Sequence, residues 1–490
     1  MTAQAPRRDD IAATRHVVIV GGGITGLAAA YAVLTDSRAR ELRITCTIVE
    51  RERRLGGKLQ TVRQGGCLIE TGPDSFLATK PQAAHLCRAL GLGDRLIGTL
   101  PGRGVYIAYR RSLYPLPDGL ALGIPSRLLP ILRSGLLGPI EKLRLGADLI
   151  LPRNRSDGDE SVGAFLRRRL GPAAVDRLAG PLLAGIYAGD ADALSLRATF
   201  PQLGDWEASH RSLVLAAVSR RRQMRATPNG ASPMFLSLTD GMGELVGALE
   251  AALARATVLT GQTDRITQKP VDGRRRYHLE LGDGRRLEAD AVLLATPAFV
   301  TADLLAPMAP DVARHLRGIP YVSTAAVTLA YHRDAFPHRL GGHGFVVARG
   351  EPLTITACTW MSSKWPHRAP PNLALLRCYL GAAGRDGVVD EDDERLVQLT
   401  RADLRTTMGI DAEPTFVHVA RWPKAMPQYP PGHLERLEAI DTGMQALPGL
   451  VLAGAGYRGI GIPDCIRQGT DAASRILDTL VSHPALTRMH

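Results

Sequence analysis

A segment with three spaced glycines near the start of the chain constrains the fold more than any other feature. Residues 16–20 (HVVIV) are β-branched and followed by glycine, which predicts a short buried strand. Gly21, Gly23 and Gly26 come next in the pattern G-x-G-x-x-G, and the alanine-rich residues 27–34 predict a helix. The first glycine permits a tight turn, the second admits a pyrophosphate, and the third lets the helix pack on the strand. We therefore predict a dinucleotide site rather than an ordinary β-α turn.

A carboxylate follows where such a site contacts the adenosine ribose. Residues 44–49 (ITCTIV) predict a second strand, which ends at Glu50. In dinucleotide-binding folds an acidic residue about 20 positions after the glycines accepts hydrogen bonds from ribose hydroxyls. Glu50 lies 24 residues after Gly26. The first 50 residues thus predict a β-α-β unit that carries its own ribose ligand.

Two further glycine clusters favour FAD. Residues 54–58 (RLGGK) resemble the double-glycine extension of a large family of FAD enzymes, with a structural turn as the alternative; Leu59 after Lys58 excludes a P-loop. Near the C-terminus, glycines that suit close approach to a flavin precede Ile462, Pro463 and Asp464. A helix beginning there would direct its N-terminus at the pyrimidine side and stabilise the negative charge that develops on reduction. A turn-rich C-terminus is the alternative. These glycines are Gly454, Gly456, Gly459 and Gly461.

The charge balance is basic and points to an anionic partner. Sixty Lys and Arg against 48 Asp and Glu leave a net charge of +12, carried largely by arginine. Such a field favours nucleic acid, anionic lipid, or a polycarboxylate or phosphate substrate, with scattered solvated arginines as the alternative. Aromatic residues make up 5% of the chain and do not alternate with the basic runs, so we predict no nucleic-acid partner.

The cysteine pattern and the hydropathy argue against a metal centre and a spanning helix. The six cysteines are far apart and form no C-x-x-C pair, so we predict no metal site and a reducing compartment. The polar N-terminus has no apolar signal core, and no 18 apolar residues run without a charge. We predict a soluble, cytoplasmic protein, with weak peripheral contact to a membrane as the alternative.

The order of patterns along the 490 residues predicts three units, in line with ~150 residues per domain. Glycine-linked strands at the start, middle and end predict one discontinuous FAD-binding domain. Strand-like alternation over residues 321–416 predicts a substrate-binding domain with a sheet. Helix-like apolar spacing without strand alternation predicts a helical lobe, which is either an ordinary insertion or a membrane-surface lobe. The boundaries are 14–63, 235–299 and 417–480 for FAD binding, 64–101, 208–234 and 300–416 for substrate binding, and 102–207 for the helical lobe.

One stretch inside these boundaries is polar and basic. Residues 220–233 contain three consecutive arginines and an Asn-Gly pair. We predict a mobile loop there.

Several sequence blocks, in order along nearly the whole chain, are similar to those of one enzyme family, the Bacillus-type porphyrinogen oxidases. The first two are shared with amine oxidases and carotenoid desaturases, whereas the later ones are more specific to haem-pathway enzymes. The blocks are residues 16–30, 54–58, 71–77 (TGPDSFL) with Lys80, 183–190 (LAGIYAGD), 194–196 with 199–201, 355–360 (ITACTW), 421–422 with 426–429, and 461–466 (GIPDCI).

This resemblance implies a fold class and a chemistry. The fold is α/β, with a Rossmann-like FAD-binding domain of the amine oxidase and porphyrinogen oxidase type, a mixed-sheet substrate domain and a helical lobe. The cofactor is non-covalently bound FAD. Six electrons leave a porphyrinogen in three two-electron steps, and O2 is reduced to H2O2. No catalytic acid or base is assigned, because the cofactor carries the chemistry.

The resemblance also places individual residues. Lys80, Ile186 and Tyr379 line the substrate cavity, where Lys80 pairs with a propionate or biases the field near the flavin. A solvated lysine and two plain core residues are the alternatives. Residues 262–266 do not align cleanly with the family's adenine contact, which we leave unassigned. The implied FAD contacts are Gly21, Gly22, Gly23, Ile24, Thr25, Gly26, Val49, Glu50, Lys58, Gly72, Pro73, Asp74, Ser75, Trp422, Gly461, Ile462 and Pro463.

Two substrates fit the family, and the excess of basic residues favours the one with more carboxylates. Coproporphyrinogen III carries four propionates and protoporphyrinogen IX two, and each desolvated carboxylate needs a cation or several donors. We predict coproporphyrinogen III oxidation in haem biosynthesis, with protoporphyrinogen IX as the alternative. A flavin amine oxidase and a non-catalytic binder similar to GDP-dissociation inhibitors are the remaining alternatives. The predicted partners are a tetrapyrrole and O2, with docking to another haem-pathway enzyme as a further hypothesis.

Overall fold

A computed structural model of the chain describes residues 14–100, 104–154, 158–226, 233–271, 274–336 and 341–482. Within these ranges the strands are β1 (Arg15–Val20), β2 (Ile44–Glu50), β3 (Thr61–Gln64), β4 (Cys67–Glu70), β5 (Phe76–Leu77), β6 (Leu96–Gly98), β7 (Gly104–Tyr109), β8 (Ser112–Pro115), β9 (Leu120–Ala121), β10 (Ile124–Pro125), β11 (Phe235–Leu238), β12 (Thr257–Thr260), β13 (Thr263–Val271), β14 (Arg274–Leu281), β15 (Arg286–Ala289), β16 (Ala291–Leu294), β17 (Tyr321–His332), β18 (Gly342–Val347), β19 (Ile355–Trp360), β20 (Leu373–Leu380), β21 (Phe416–Pro427) and β22 (Leu450–Leu452).

The helices of the same ranges are α1 (Ile24–Thr35), α2 (Ser37–Glu41), α3 (Gln82–Ala89), α4 (Leu128–Arg133), α5 (Pro139–Gly146), α6 (Val162–Leu170), α7 (Pro172–Ala174), α8 (Gly180–Tyr187), α9 (Leu196–Thr199), α10 (Pro201–His210), α11 (Leu213–Ala226), α12 (Gly243–Ala252), α13 (Ala298–Leu305), α14 (Pro310–Arg317), α15 (Met361–Lys364), α16 (Asp393–Met408), α17 (His433–Met444) and α18 (Ile462–Ser482).

A five-stranded parallel sheet carries the glycine motif. Its order is β12-β2-β1-β16-β22, so it collects strands from the start, the middle and the end of the chain. Val17 and Ile19 of β1 pack on one side with α1 and α18, while Val18 and Val20 pack on the other with α13 and α14. Because both faces are covered, the strands read as continuous apolar runs.

A seven-stranded sheet forms the second layer. Its order is β21-β17-β20-β19-β18-β7-β8, and the β18–β7 pair is parallel while the other pairs are antiparallel. On the back face Leu376 and Cys378 of β20 pack against Leu404 of α16. Because side chains alternate along a strand, Arg377 and Tyr379 point from the front face. The predicted α/β fold class, with a Rossmann-like sheet, a mixed sheet and a helical region, is confirmed.

Residues 104–125 differ from the expected helical lobe. They form β7, β8, β9 and β10, and the first two extend the seven-stranded sheet. Arg110 (φ 49°) and Arg111 (φ 59°) make the two-residue turn between β7 and β8. Such turns require positive φ at both positions and usually contain Gly, Asn or Asp, so two arginines gave no turn signal in the sequence.

Helices α4 to α11 then cover residues 128–226 around a core of their own. The predicted loop at 220–233 is wrong for residues 220–226, which complete α11; residues 227–232 lie outside the described ranges. Ala, Leu, Arg, Gln and Met are good helix formers, so this basic stretch keeps its helical propensity despite its polarity. In the described part of the chain, no helix is long and apolar enough to cross a lipid bilayer.

Candidate functional site

The glycine turn after β1 is packed tightly at one glycine and open at another. A Cβ built on Gly26 would lie 1.9 Å from the carbonyl oxygen of Gly21, and Gly21 itself has φ 105°. At Gly23, which precedes α1 and has φ −71°, a Cβ would meet no atom within 4 Å. The open side of Gly23 is therefore a cradle beside a helix N-terminus, which is the environment that a pyrophosphate prefers.

Glu50 is held next to this turn at the end of β2. Its Oε2 accepts the Gly22 N–H (2.7 Å), and its Oε1 accepts the Glu52 N–H (3.0 Å). The carbonyl of the neighbouring Val49 accepts the Gly21 N–H (2.8 Å). The predicted ribose ligand and the predicted phosphate turn thus form one hydrogen-bonded unit.

An unsatisfied polar group lies close to Glu50. Gly261 donates its N–H to the Glu50 carbonyl (2.8 Å), and Thr263 begins β13 two residues later. Thr263 is buried, and its hydroxyl finds no hydrogen-bond partner among the described residues. A buried hydroxyl without a partner costs stability, so a polar group bound beside Thr263 would offset that cost.

The second glycine turn passes directly over the first. Gly56 donates its N–H to the Gly22 carbonyl (2.8 Å), and a Cβ on Gly57 would lie 3.2 Å from the Cα of Gly23. Lys58 then directs its ammonium to the carbonyl of Ala425 in β21, and burial lowers the pKa of Lys58. Residues 54–58 therefore connect the phosphate turn to the seven-stranded sheet.

Residues 71–75 lie between the two sheets. The Thr71 carbonyl accepts hydrogen bonds from Trp422 Nε1 (2.7 Å) and Arg377 Nη2 (3.0 Å). A Cβ on Gly72 would lie 1.8 Å from the carbonyl oxygen of Lys58. These contacts join the predicted FAD residues Lys58, Gly72 and Trp422.

The side chain of Asp74 is engaged in a buried network. Its Oδ2 accepts Lys364 Nζ (2.7 Å) and Trp365 Nε1 (2.9 Å). Burial alone would raise the pKa of Asp74, but the Lys364 ammonium and these hydrogen bonds hold it well below its usual range. The carboxylate therefore ties residues 72–75 to the segment that carries Lys364 and Trp365.

The C-terminal glycine loop leads into α18, the longest described helix. Ile462 and Pro463 begin this helix and are buried. Tyr429 holds the loop: its hydroxyl accepts the Gly459 N–H (3.0 Å) and donates to the Ala455 carbonyl (2.5 Å). The N-terminus of α18 is thus fixed at the same end of the molecule as the N-terminus of α1.

The helices α1 and α18 pack closely through a glycine that sequence reasoning missed. A Cβ on Gly469 would lie 2.3 Å from the carbonyl oxygen of Thr25. This close approach fixes Ile24 and Thr25 relative to the C-terminal loop. The signal in the sequence was a lone glycine inside a helix pattern, which often marks a packing requirement.

Lys80 is tied to the C-terminal loop by an ion pair. Its ammonium contacts both carboxylate oxygens of Asp464, at 2.7 and 2.6 Å. Asp464 stands in the first turn of α18, and a Cβ on Gly461 would lie 3.0 Å from its Oδ2. Sequence reasoning noted Asp464 only as part of the GIPDCI block and missed this pairing.

The other two predicted cavity residues lie on separate elements. Ile186 is exposed on α8, and its neighbour Tyr187 is buried. Burial raises the pKa of the Tyr187 phenol, and the negative charge of Asp464 adds to the shift. Tyr379 lies on the front face of the seven-stranded sheet, where the Arg377 guanidinium is 4.8 Å from its ring centroid. None of the described contacts joins Tyr379 to Lys80.

Comparisons with known proteins identify a family and several relatives. A family model described as flavin containing amine oxidoreductase matches residues 24–477. The chain is 40% identical to the coproporphyrinogen III oxidase of Bacillus subtilis (strain 168), covering 96% of this chain and 99% of the relative. It is 36% identical to the coproporphyrinogen III oxidase of Propionibacterium freudenreichii subsp. freudenreichii, covering 95% and 92% of the two chains.

A solved structure shows the same arrangement of elements. The crystal structure of a protein from Exiguobacterium sp. 255-15, assigned as a protoporphyrinogen oxidase, superposes with a TM-score of 0.84 at 36% identity. The match covers 95% of this chain and 99% of that chain. The resemblance noted in the sequence is therefore confirmed over nearly the full length.

Proposed function

The chain belongs to the family of flavin-containing amine oxidoreductases, and we propose that it oxidises coproporphyrinogen III to coproporphyrin III with O2 as the oxidant. Bound FAD supplies a two-electron acceptor that O2 reoxidises with release of H2O2. Three such oxidations remove the six electrons that separate the porphyrinogen from the porphyrin. The reaction belongs to haem biosynthesis.

The observation that carries this proposal is the full-length similarity to relatives named coproporphyrinogen III oxidase, the first at 40% identity. The net charge of +12 supports a substrate with four carboxylates over one with two. Protoporphyrinogen IX is the second candidate, favoured by the solved structure at 36% identity that is assigned to that activity.

The residues around the cradle supply placement rather than proton transfer. Gly23 and the N-terminus of α1 would hold the pyrophosphate, and Glu50 the ribose. The backbone of residues 72–75 and Trp422 would face the flavin from between the sheets, while the N-terminus of α18 would face its pyrimidine side. Helix N-termini stabilise negative charge, so the α18 end would favour the reduced cofactor.

The test compares both porphyrinogens in air with the purified holoenzyme. Porphyrin fluorescence and peroxide are measured in parallel, and the Gly23→Val variant corrects for spontaneous oxidation. Faster peroxide-forming turnover of coproporphyrinogen III is the expected result. Faster turnover of protoporphyrinogen IX would transfer the assignment to the second candidate, and a flavin-loaded protein inert to both would exclude porphyrinogen oxidation.

We also propose a peripheral contact between the helical region and an anionic membrane surface. Helices α4 and α5 are neighbours, since Lys142 Nζ donates to the Leu132 carbonyl (2.8 Å). Ile140 is 81% and Leu143 76% exposed. We call this exposed set the apolar face of α4 and α5; it comprises Leu128, Leu129, Leu132, Ile140, Leu143 and the following Ile150.

The charges around the apolar face favour anionic lipid. Arg127 precedes α4 and Arg133 ends it, and both are exposed. The acidic Glu141 of α5 instead pairs with Arg177 (2.7 Å). Exposed apolar side chains bordered by cations are typical of helices that lie in a membrane interface. Docking of another haem-pathway enzyme remains a separate hypothesis, to which no described contact yet assigns a surface.

Vesicle sedimentation tests the membrane contact. The protein should sediment with vesicles that contain phosphatidylglycerol and much less with phosphatidylcholine alone. Leu143→Asp should abolish this binding, whereas Val258→Asp, at an exposed valine of β12, should not. Equal behaviour of the two variants would remove the apolar face from the contact, and concentration-dependent self-association without vesicle binding would assign the face to a second copy.

A further inference from the structure

The ion pair between Lys80 and Asp464 bridges the two segments that would border the flavin. Lys80 lies five residues after Ser75, just beyond β5, and Asp464 directly follows Ile462 and Pro463. The two residues are 384 positions apart in sequence, yet the ammonium contacts both carboxylate oxygens within 2.7 Å. No other described contact links these two segments through opposite charges.

The chain is built to keep this carboxylate in place. A Cβ on Gly459 would lie 2.9 Å from Asp464 Oδ2, and one on Gly461 would lie 3.0 Å from the same atom. Gly459 also has φ 108°, a conformation that L side chains rarely adopt. The Asp464 side chain is 13% exposed and the Lys80 side chain 44%. The loop thus makes room for a nearly buried carboxylate and covers it with a cation.

The position of the carboxylate has an electrostatic consequence. Asp464 stands in the first turn of α18, where the helix dipole favours negative charge. The same helix end would stabilise the charge that the flavin pyrimidine gains on reduction, so an uncompensated Asp464 would oppose that charge. Lys80 cancels the carboxylate and leaves the α18 N-terminus free to act on the cofactor.

We propose that Lys80 and Asp464 are a pair of positioning residues that set the reduction potential of the flavin, and that Lys80 is not a ligand of a substrate propionate. The ammonium already pairs with both oxygens of a carboxylate within the protein, so it offers a propionate little net positive charge. This proposal rests on the FAD placement above but not on the identity of the porphyrinogen.

The two single variants should shift the reduction potential of the flavin in opposite directions. Lys80→Met leaves Asp464 unpaired and should lower the potential, whereas Asp464→Asn leaves the ammonium unpaired and should raise it. A nearby unit charge shifts an ionisation equilibrium, and a shift of one pKa unit is a tenfold change. We expect about a tenfold change in the two-electron reduction equilibrium in each direction, which corresponds to about 30 mV.

The measurement is an anaerobic titration of each holoenzyme against a redox dye of known potential, followed by flavin absorbance and without any porphyrinogen. The double variant Lys80→Met with Asp464→Asn should return close to the wild-type potential. Lys80→Arg keeps the pair and should also remain close. Arg401→Met provides the matched control, because its ion pair with Glu413 lies beside α16 on the back of the seven-stranded sheet.

Several results would overturn the proposal. Unchanged potentials in both single variants would show that the pair does not act on the flavin, and shifts of the same sign would indicate a structural disturbance. A higher KM for coproporphyrinogen III in Lys80→Met, with an unchanged potential, would make Lys80 a substrate ligand. If Lys80→Met does not retain FAD, Asp464→Asn and Lys80→Arg provide the test. A raised potential in Asp464→Asn with an unchanged potential in Lys80→Arg supports the proposal, and any other combination refutes it. Because the titration contains no porphyrinogen, its outcome is separate from the test of the proposed reaction.

Discussion

Two regions of the protein differ in how tightly they are packed. They are the glycine turn between β1 and α1, and the apolar face of α4 and α5. At Gly26 a single added carbon would lie 1.9 Å from a backbone oxygen. At Leu143 a whole side chain is 76% exposed. In the glycine turn, backbone atoms contact backbone atoms of the same β-α unit, so the glycines that permit this contact are close together in sequence. In the second region, the described part of the chain leaves the side chains exposed, so no local pattern specifies what could bind there.

The largest expected effect tests how tightly the glycine turn is packed. Gly26→Ala places a Cβ against the Gly21 carbonyl oxygen, and relief requires moving α1 away from β1. Overpacking of this kind costs about 3 kcal/mol or more, measured as the free energy of unfolding in urea. Gly247→Ala in α12 is the matched control, since a Cβ there meets nothing within 4 Å, and it should be neutral or slightly stabilising. A Gly26→Ala protein as stable as the control would contradict the packing argument.

Substitution of a second glycine in the same turn should prevent cofactor binding without affecting folding. Gly23→Val adds a side chain to the open cradle, at a position whose φ of −71° suits any L residue. The variant should fold with a melting temperature close to that of wild-type apoprotein, but purify without FAD because the side chain occupies the pyrophosphate position. Flavin absorbance per mole of protein is the readout. Normal flavin content in folded Gly23→Val would refute the assignment of the cradle.

The sequence predicted the glycine turn because all of its parts are near one another in the chain. Gly21, Gly23, Gly26 and Glu50 have fixed spacings that follow from one β-α-β unit. The structure brings them together through hydrogen bonds such as Gly22 N–H to Glu50 Oε2 at 2.7 Å. The resemblance to a known family extended this prediction to the remaining segments of the fold.

What the sequence could not predict depends on distant or unusual partners. Lys80 and Asp464 are 384 residues apart, and neither has a pattern that names the other. The turn at Arg110 and Arg111 carries none of the residues usual in a two-residue hairpin. Consecutive arginines occur both in loops and on solvated helices, so the basic run at residues 220–222 does not identify the end of α11.

The dependence of stability on acid pH tests the burial of His433, which packs against residues from other parts of the chain. His433 is buried and stacks on Tyr429, with ring centroids 4.1 Å apart, and its Nε2 lies 2.9 Å from the Tyr457 carbonyl. Burial lowers the pKa of His433 to about 4; Arg436 and Arg458 lower it further, and the hydrogen bond to Tyr457 and the charge of Asp159 oppose them. The ring is therefore neutral in the folded protein at neutral pH.

Because the folded pKa is below the unfolded value of about 6.5, the folded state binds fewer protons than the unfolded state between these values. Stability is therefore retained above about pH 6.5 and falls as the pH drops toward about 4, by up to about 3 kcal/mol. His433→Phe keeps a ring on Tyr429 but removes the titration, so its unfolding free energy should depend less on pH in this window. Parallel pH profiles for the variant and the wild type would exclude His433 as the cause.

The smallest expected effect tests whether the apolar face is open in the isolated protein. Leu143 is 76% exposed, whereas Leu145, two residues along the same helix, is 2% exposed. Leu143→Ala should change the free energy of unfolding by less than about 0.5 kcal/mol, because substitutions at an uncovered position remove few contacts. Leu145→Ala should cost about 2 to 5 kcal/mol, since it leaves a cavity in the helical core. Urea unfolding of the two variants at low protein concentration gives both values. If Leu143→Ala cost more than about 1 kcal/mol, the apolar face would be covered within the protein itself. The two regions would then differ only in how far apart in sequence their contacting residues lie, and not in how tightly they are packed.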